Sequence, residues 1–88
     1  MTYQVIISPT ASRQLQERLP EAVAWACYEF IRGPLAEEPH RVGAPLRTPF
    51  EGHWRARRGE YRVRYTIDFD AKQVHVLDID HRRDAYHR

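Results

Sequence analysis

The apolar positions of this chain begin with the period of a strand, change to that of a helix, and return to a strand period in the second half. Residues 3–8 (Tyr-Gln-Val-Ile-Ile-Ser) are short and β-branched, which predicts a strand. At Ser8-Pro9 the pattern changes. Serine suits a helix N-cap and proline its first position, and Ala11, Leu15 and Leu19 then recur every fourth residue, predicting a helix over about 9–19. Pro20 starts a second helix with Glu21 in its first turn. Val23, Ala26, Cys27, Phe30 and Ile31 form its buried stripe, and Gly33-Pro34 interrupts it. A short helical turn through Leu35–Glu38 follows. The two helices meet at a proline corner, which predicts an antiparallel helical hairpin.

Residues 39–52 carry Pro39, Gly43, Pro45, Pro49 and Gly52 and read as an ordered loop that sends Leu46 and Phe50 into the core. Beyond it the period is two. Trp54 and Ala56 point one way, with His53, Arg55 and Arg57 the other. Gly59-Glu60 turns the chain, and Tyr61, Val63, Tyr65 and Ile67 then alternate with Arg62, Arg64, Thr66 and Asp68. Asp70-Ala71-Lys72 turns it again into a last strand over 74–80. If parity runs unbroken there, Val74, Val76, Asp78, Asp80 and Arg82 share one face. The order is β-α-α-β-β-β with a short polar C-terminal tail. That predicts an α+β domain spanning residues 1–88, with the helical hairpin on one face of an antiparallel sheet and the other face open.

Composition sharpens that picture at one place. The chain has 88 residues and a formal net charge of +2. Residues 1–40 carry −2 and residues 41–88 carry +4. All basic residues but Lys72 are arginine, and five arginines fall between Trp54 and Tyr65 against one acid, Glu60. Arg55, Arg57, Arg62 and Arg64 on paired strands repel one another, a cost that a solvated face alone does not explain. Arginine's planar fork matches phosphate oxygens two at a time, so the open face suits a phosphate polyanion. Arg58, His53, His81 and Arg83 extend this basic set. Tyr86 in the tail suits stacking on a base. The five histidines show no metal-ligand spacing and the single cysteine, Cys27, has no partner for a disulfide. The expectation is therefore no metal and no cofactor, in a reducing compartment. The absence of a long apolar run adds no membrane and a cytoplasmic location. No phosphate loop, nucleophile elbow or paired-carboxylate motif is present.

Pro45-Leu46, Phe50-Glu51-Gly52, the run from Trp54 to Tyr65, and His81-Arg82-Arg83-Asp84-Ala85-Tyr86 resemble the RelE/ParE toxin superfamily over nearly the whole chain, closest to its RelE branch. The resemblance implies a RelE-like, microbial-RNase-like fold and the toxin half of a type II toxin–antitoxin system. It implies a metal-independent endoribonuclease that cuts messenger RNA in the ribosomal A site. There the ribose 2′-hydroxyl attacks the adjacent phosphate and leaves a 2′,3′-cyclic phosphate. It also implies a cognate antitoxin with an acidic, partly disordered segment, assembled with the toxin as a hetero-oligomer. Carried over by position, Arg62 would hold the phosphate and Arg82 would steady or protonate the leaving 5′-oxygen. Tyr86 would stack on a base. Arg55 falls at a lysine proposed as general base in the family, and Arg57 at a further basic position. Arginine stays protonated, so the proton would go to His53, Glu60, His81, His87 or a ribosomal group. A loop glutamate that serves some relatives is replaced here by Ala44. Two other readings share these features: a ParE-like gyrase poison without nuclease chemistry, and a catalytically weak homologue that binds only antitoxin or RNA.

Overall fold

A computed structural model describes residues 2–81. Strand β1 (Gln4–Ile7) leads into α1 (Pro9–Arg13), whose last turn widens over Gln14–Arg18, and then α2 (Glu21–Phe30), which widens likewise over Ile31–Leu35. A short helix α3 (Pro39–Val42) and a two-residue strand β2 (Ala44–Pro45) precede β3 (His53–Arg58), β4 (Tyr61–Asp68) and β5 (Gln73–His81). The sheet order is β1-β5-β4-β3-β2. Strands β2 to β5 pair antiparallel, whereas β1 runs parallel to β5 at the other edge; the sheet is therefore mixed, with the helices carrying the chain from β1 to β2 at the opposite edge.

Local chemistry accounts for most boundaries. Ser8 caps α1, its hydroxyl oxygen accepting from the Ala11 amide at 3.0 Å. Gly59, at φ +53, occupies the first central position of the two-residue β3–β4 turn, where glycine alone is unstrained. Gly33-Pro34 interrupts the regular second helix, as its composition suggests, without ending the helical path. The helix opens into a wide turn around Pro34, which has no N–H to donate, and buried Ile31 and Leu35 hold both ends of that turn in the core. Pro39 starts α3 from its first position, so part of the expected loop is helical.

The core lies between the helices and one sheet face. Ala56, Val63, Tyr65, Val74, Val76 and Ile79 point into it from the sheet, and Ala11, Cys27, Phe30, Ile31 and Leu35 meet them from the helical layer. Each large aliphatic side chain removed from water there contributes about 1.5–3 kcal/mol. Phe50, expected as a core anchor, is 47 % exposed, and Leu46 is only half-buried; both lie on the opposite side of the sheet.

Tyr65 ties the loop to the sheet. Its hydroxyl donates to the Pro39 carbonyl at 2.7 Å. Gly43 passes directly over that hydroxyl, and a Cβ there would overlap it and approach the Arg55 carbonyl oxygen to 2.8 Å. Gly43→Ala and Tyr65→Phe should each destabilise by about 1–3 kcal/mol, the first by overpacking and the second by orphaning a buried carbonyl. The double variant should lose less than the sum, because removing the hydroxyl relieves part of the overlap; urea unfolding of the four proteins measures the coupling.

Burial also pushes the Cys27 thiol and the Tyr65 hydroxyl up to about 12. Tyr61 rises to about 12 mainly by burial and further through Cys27, against a lowering by Arg58. These groups hold their protons more tightly folded than unfolded, so their stabilisation is complete below pH ~8.5, where unfolded cysteine begins to ionise. It should fall progressively between about pH 9 and 12. Denaturant midpoints measured across that range test this, and Cys27→Ala should flatten the lower part of the decline.

Candidate nucleic-acid interface

Strand pairing places the polar residues of the open face in rows. Across β3, β4 and β5, Arg57 faces Arg62 and Arg62 faces Asp80. In the next row Ala44, Arg55, Arg64 and Asp78 lie side by side from β2 to β5. A third row runs His53, Thr66, His75 and Ile6. Leu46, Phe50, Arg55, Arg62, Arg64, Asp78 and Asp80 line a groove of about 350 Å³ on this face.

The two aspartates reach the groove through a break in strand parity. Tyr65 pairs with Val76, yet Arg64 pairs with Asp78, so Leu77 is an extra residue on β5. Val74 and Val76 therefore face the core, whereas Asp78 and Asp80 face the arginines. Unbroken alternation, which would have put all four on one face, fails here. The bulge is held from the helical layer. The Ser8 hydroxyl donates to the Leu77 carbonyl at 2.7 Å, and Gln14 Oε1 accepts from the Ile79 amide at 2.7 Å. Both backbone groups would otherwise lack ladder partners.

The aspartates answer the repulsion among the arginines. Arg64 donates to Asp78 in a half-buried ion pair. It also sits beside Arg55. The groove and its first row thus hold four arginines and two carboxylates. Sequence reasoning missed both carboxylates, and the signal that would have found them is a bulge that neither glycine nor proline marks.

The other expected residues divide. His53, Arg55, Arg57, Arg62 and Arg64 share the open face. The His53 ring lies 6.4 Å from that of Phe50, and its Nδ1 is buried without a partner among the described residues. Arg58 is on the helix-packed face, its guanidinium 4.7 Å above the Phe30 ring. His81 is buried on that same side, across from Tyr61, with Nε2 3.5 Å from Glu60. Neither belongs to the open face, because odd and even positions of a strand face opposite ways. Glu60 and His81 are thereby withdrawn from the groove as proton acceptors. Arg82, Arg83, Tyr86 and His87 lie outside the described residues. Among the described residues no group of three His, Cys, Asp or Glu side chains is placed to hold a metal ion, and no helix is long and apolar enough to cross a membrane.

The family described as "ParE toxin of type II toxin-antitoxin system, parDE" matches residues 5–86. The chain belongs to the RelE/ParE toxin family. It is 51 % identical to Toxin RelE of Mycobacterium tuberculosis over 84 residues, covering 96 % of this chain and 86 % of the relative. It is 46 % identical to Toxin RelG of the same organism over the full length of both. The crystal structure of the M. tuberculosis toxin–antitoxin complex RelBE2 contains a chain of the same fold, with TM-score 0.89, 44 % identity, and coverage of 93 % of this chain and 100 % of that one. The archaeal RelE–RelB complex of Pyrococcus horikoshii contributes another, with TM-score 0.70, 30 % identity, and coverage of 93 % and 97 %.

This protein is therefore a type II toxin–antitoxin system toxin of the RelE kind. The toxin's open face depends on the Arg64–Asp78 pair. Asp78→Asn leaves Arg64 and Arg55 adjacent with one countercharge fewer, and should lower stability by about 1–3 kcal/mol. Adding Arg64→Met should recover part of that loss. Thermal melts at low salt give the comparison.

Proposed function

We propose that the toxin is a ribosome-dependent messenger-RNA endoribonuclease, neutralised by a cognate antitoxin. The observation that carries this reading is the row Arg57–Arg62–Asp80 on the open face, with Arg55 and Arg64 alongside. It joins fixed cations for a phosphodiester to a carboxylate able to take a proton.

In this reading Arg62 and Arg55 hold the scissile phosphate while Arg57 positions its neighbour. The 2′-oxygen attacks the phosphorus as its proton leaves, and the bond to the 5′-oxygen breaks. The products are a 2′,3′-cyclic phosphate and a free 5′-hydroxyl. Arginine does not serve as the acceptor, since it keeps its proton in proteins. We assign that role to Asp80, which pairs with Arg62 across the strands, while Asp78 is engaged by Arg64. Arg82 steadies the departing 5′-oxygen, which takes a proton from solvent to become the 5′-hydroxyl, and Tyr86 stacks on a base, as the family resemblance implies. Orientation and charge stabilisation of the pentacoordinate phosphate supply most of the rate, with proton transfer adding a smaller factor. The gene partner is an antitoxin with an acidic segment that covers the open face and relieves its repulsion. The M. tuberculosis and P. horikoshii relatives, solved as toxin–antitoxin complexes, support that pairing.

Induction in cells, followed by mapping of messenger 5′ ends and of DNA integrity, tests the reading. Codon-phased cuts in translated regions are expected. DNA breaks with intact messages would replace it with gyrase poisoning, and unaffected growth would leave an inactive homologue. Arg62→Ala and Arg82→Ala should abolish cutting and still bind antitoxin. Asp80→Asn should slow cutting by about 10²–10⁴-fold and Asp80→Glu should retain much of it; full activity of Asp80→Asn would remove it as the acceptor.

A further inference from the structure

We propose that Phe50, with His53 beside it, is a nucleobase-stacking platform at the rim of the arginine groove. The inference rests on the reading of that groove as an RNA face.

Among the described residues, five large apolar side chains are exposed: Ile6, Trp25, Tyr28, Phe50 and Phe69. Trp25 and Tyr28 meet edge to face on the outside of α2, and Phe69 meets Tyr3 in the same way. Phe50 lines the same groove as Arg55, Arg62 and Arg64, with Leu46 on its apolar side. Phosphate-binding cations beside an available aromatic face are what a single-stranded nucleotide requires, because every base has a π-face and every link a phosphate. The groove's volume of about 350 Å³ suits a single nucleotide more than a folded partner.

The platform is also held in place. The Phe50 amide donates to the Arg47 carbonyl at 2.8 Å, and the His53 amide donates to the Phe50 carbonyl at 3.0 Å. The Leu46 amide donates to the His53 carbonyl at 2.8 Å, closing the loop onto β3. The Thr48 hydroxyl donates to Glu51 Oε2 at 2.7 Å. These bonds fix the backbone on both sides of an exposed ring. The His53 ring lies 6.4 Å from that of Phe50, tilted by 35° from it. A turn this well bonded around a solvent-facing aromatic presents that ring in a prepared position, which lowers the ordering cost of stacking.

The test uses the full chain and two hexamers that it does not cut: a 2′-O-methyl RNA and an abasic sugar-phosphate of equal length. Fluorescence anisotropy compares the native toxin with Phe50→Ala, Phe50→Leu and Phe50→Tyr. The base-bearing hexamer should lose about 5- to 100-fold in affinity with Ala and with Leu, and recover with Tyr. The abasic hexamer should bind all four alike. Unchanged binding of the base-bearing hexamer by Phe50→Ala overturns the platform and leaves the arginine groove standing. Equal losses on both hexamers also overturn it, since the ring would then act only by shaping the turn. Failure of the native toxin to bind either hexamer overturns the platform as a site on the free toxin, while the ribosome-dependent reading is decided by the cutting assay.

Discussion

The open face of this toxin depends on one irregularity in its central sheet, the extra residue Leu77 on β5. Without it, Asp78 and Asp80 would sit against the helices, where a buried carboxylate needs a charged partner or costs several kcal/mol. Two side chains of the helical layer, Ser8 and Gln14, bond the Leu77 carbonyl and the Ile79 amide, which lie beyond the end of β1. Ser8 serves both ends of its task, capping α1 and gripping the Leu77 carbonyl. The arginine face is therefore organised from the far side of the sheet.

Charge and packing meet at the same strands. On β4, Val63 and Tyr65 are wholly buried, while Arg62 and Arg64, each next to a buried residue, face the groove. Every arginine on the open side thus projects from a backbone fixed by core residues at its neighbouring positions. This lets like charges stay close without the strands parting. The Arg64–Asp78 pair removes part of their repulsion internally.

Much of this was legible in the sequence, and the failures have physical causes. The Ser8-Pro9 start, the proline corner and the alternation of β3 and β4 follow from local rules, which placed His53, Arg55, Arg57, Arg62 and Arg64 on one face. Arg58 shares parity with Trp54 and Ala56, so its position on the helix side was readable too. The register break at Leu77 was not, because it is stabilised by contacts with residues more than sixty positions away in the chain. Phe50 misled for a different reason: an aromatic residue in a loop ordinarily marks an anchor, whereas here its surroundings are cationic. The wide turn at Pro34 shows tertiary burial of Ile31 and Leu35 overriding a strong local stop signal.

The internal pairing of Arg64 has a consequence for how any polyanion bound on this face would respond to salt. A phosphate binds at the expense of condensed counterions only where a protein cation takes their place, and each such exchange adds about −0.7 to the logarithmic salt slope for a single strand. Arg64 already has its countercharge in Asp78 and releases little. Within the run from Trp54 to Tyr65, Arg55, Arg57 and Arg62 therefore carry most of the ionic-strength response, and a count of its arginines would overstate it.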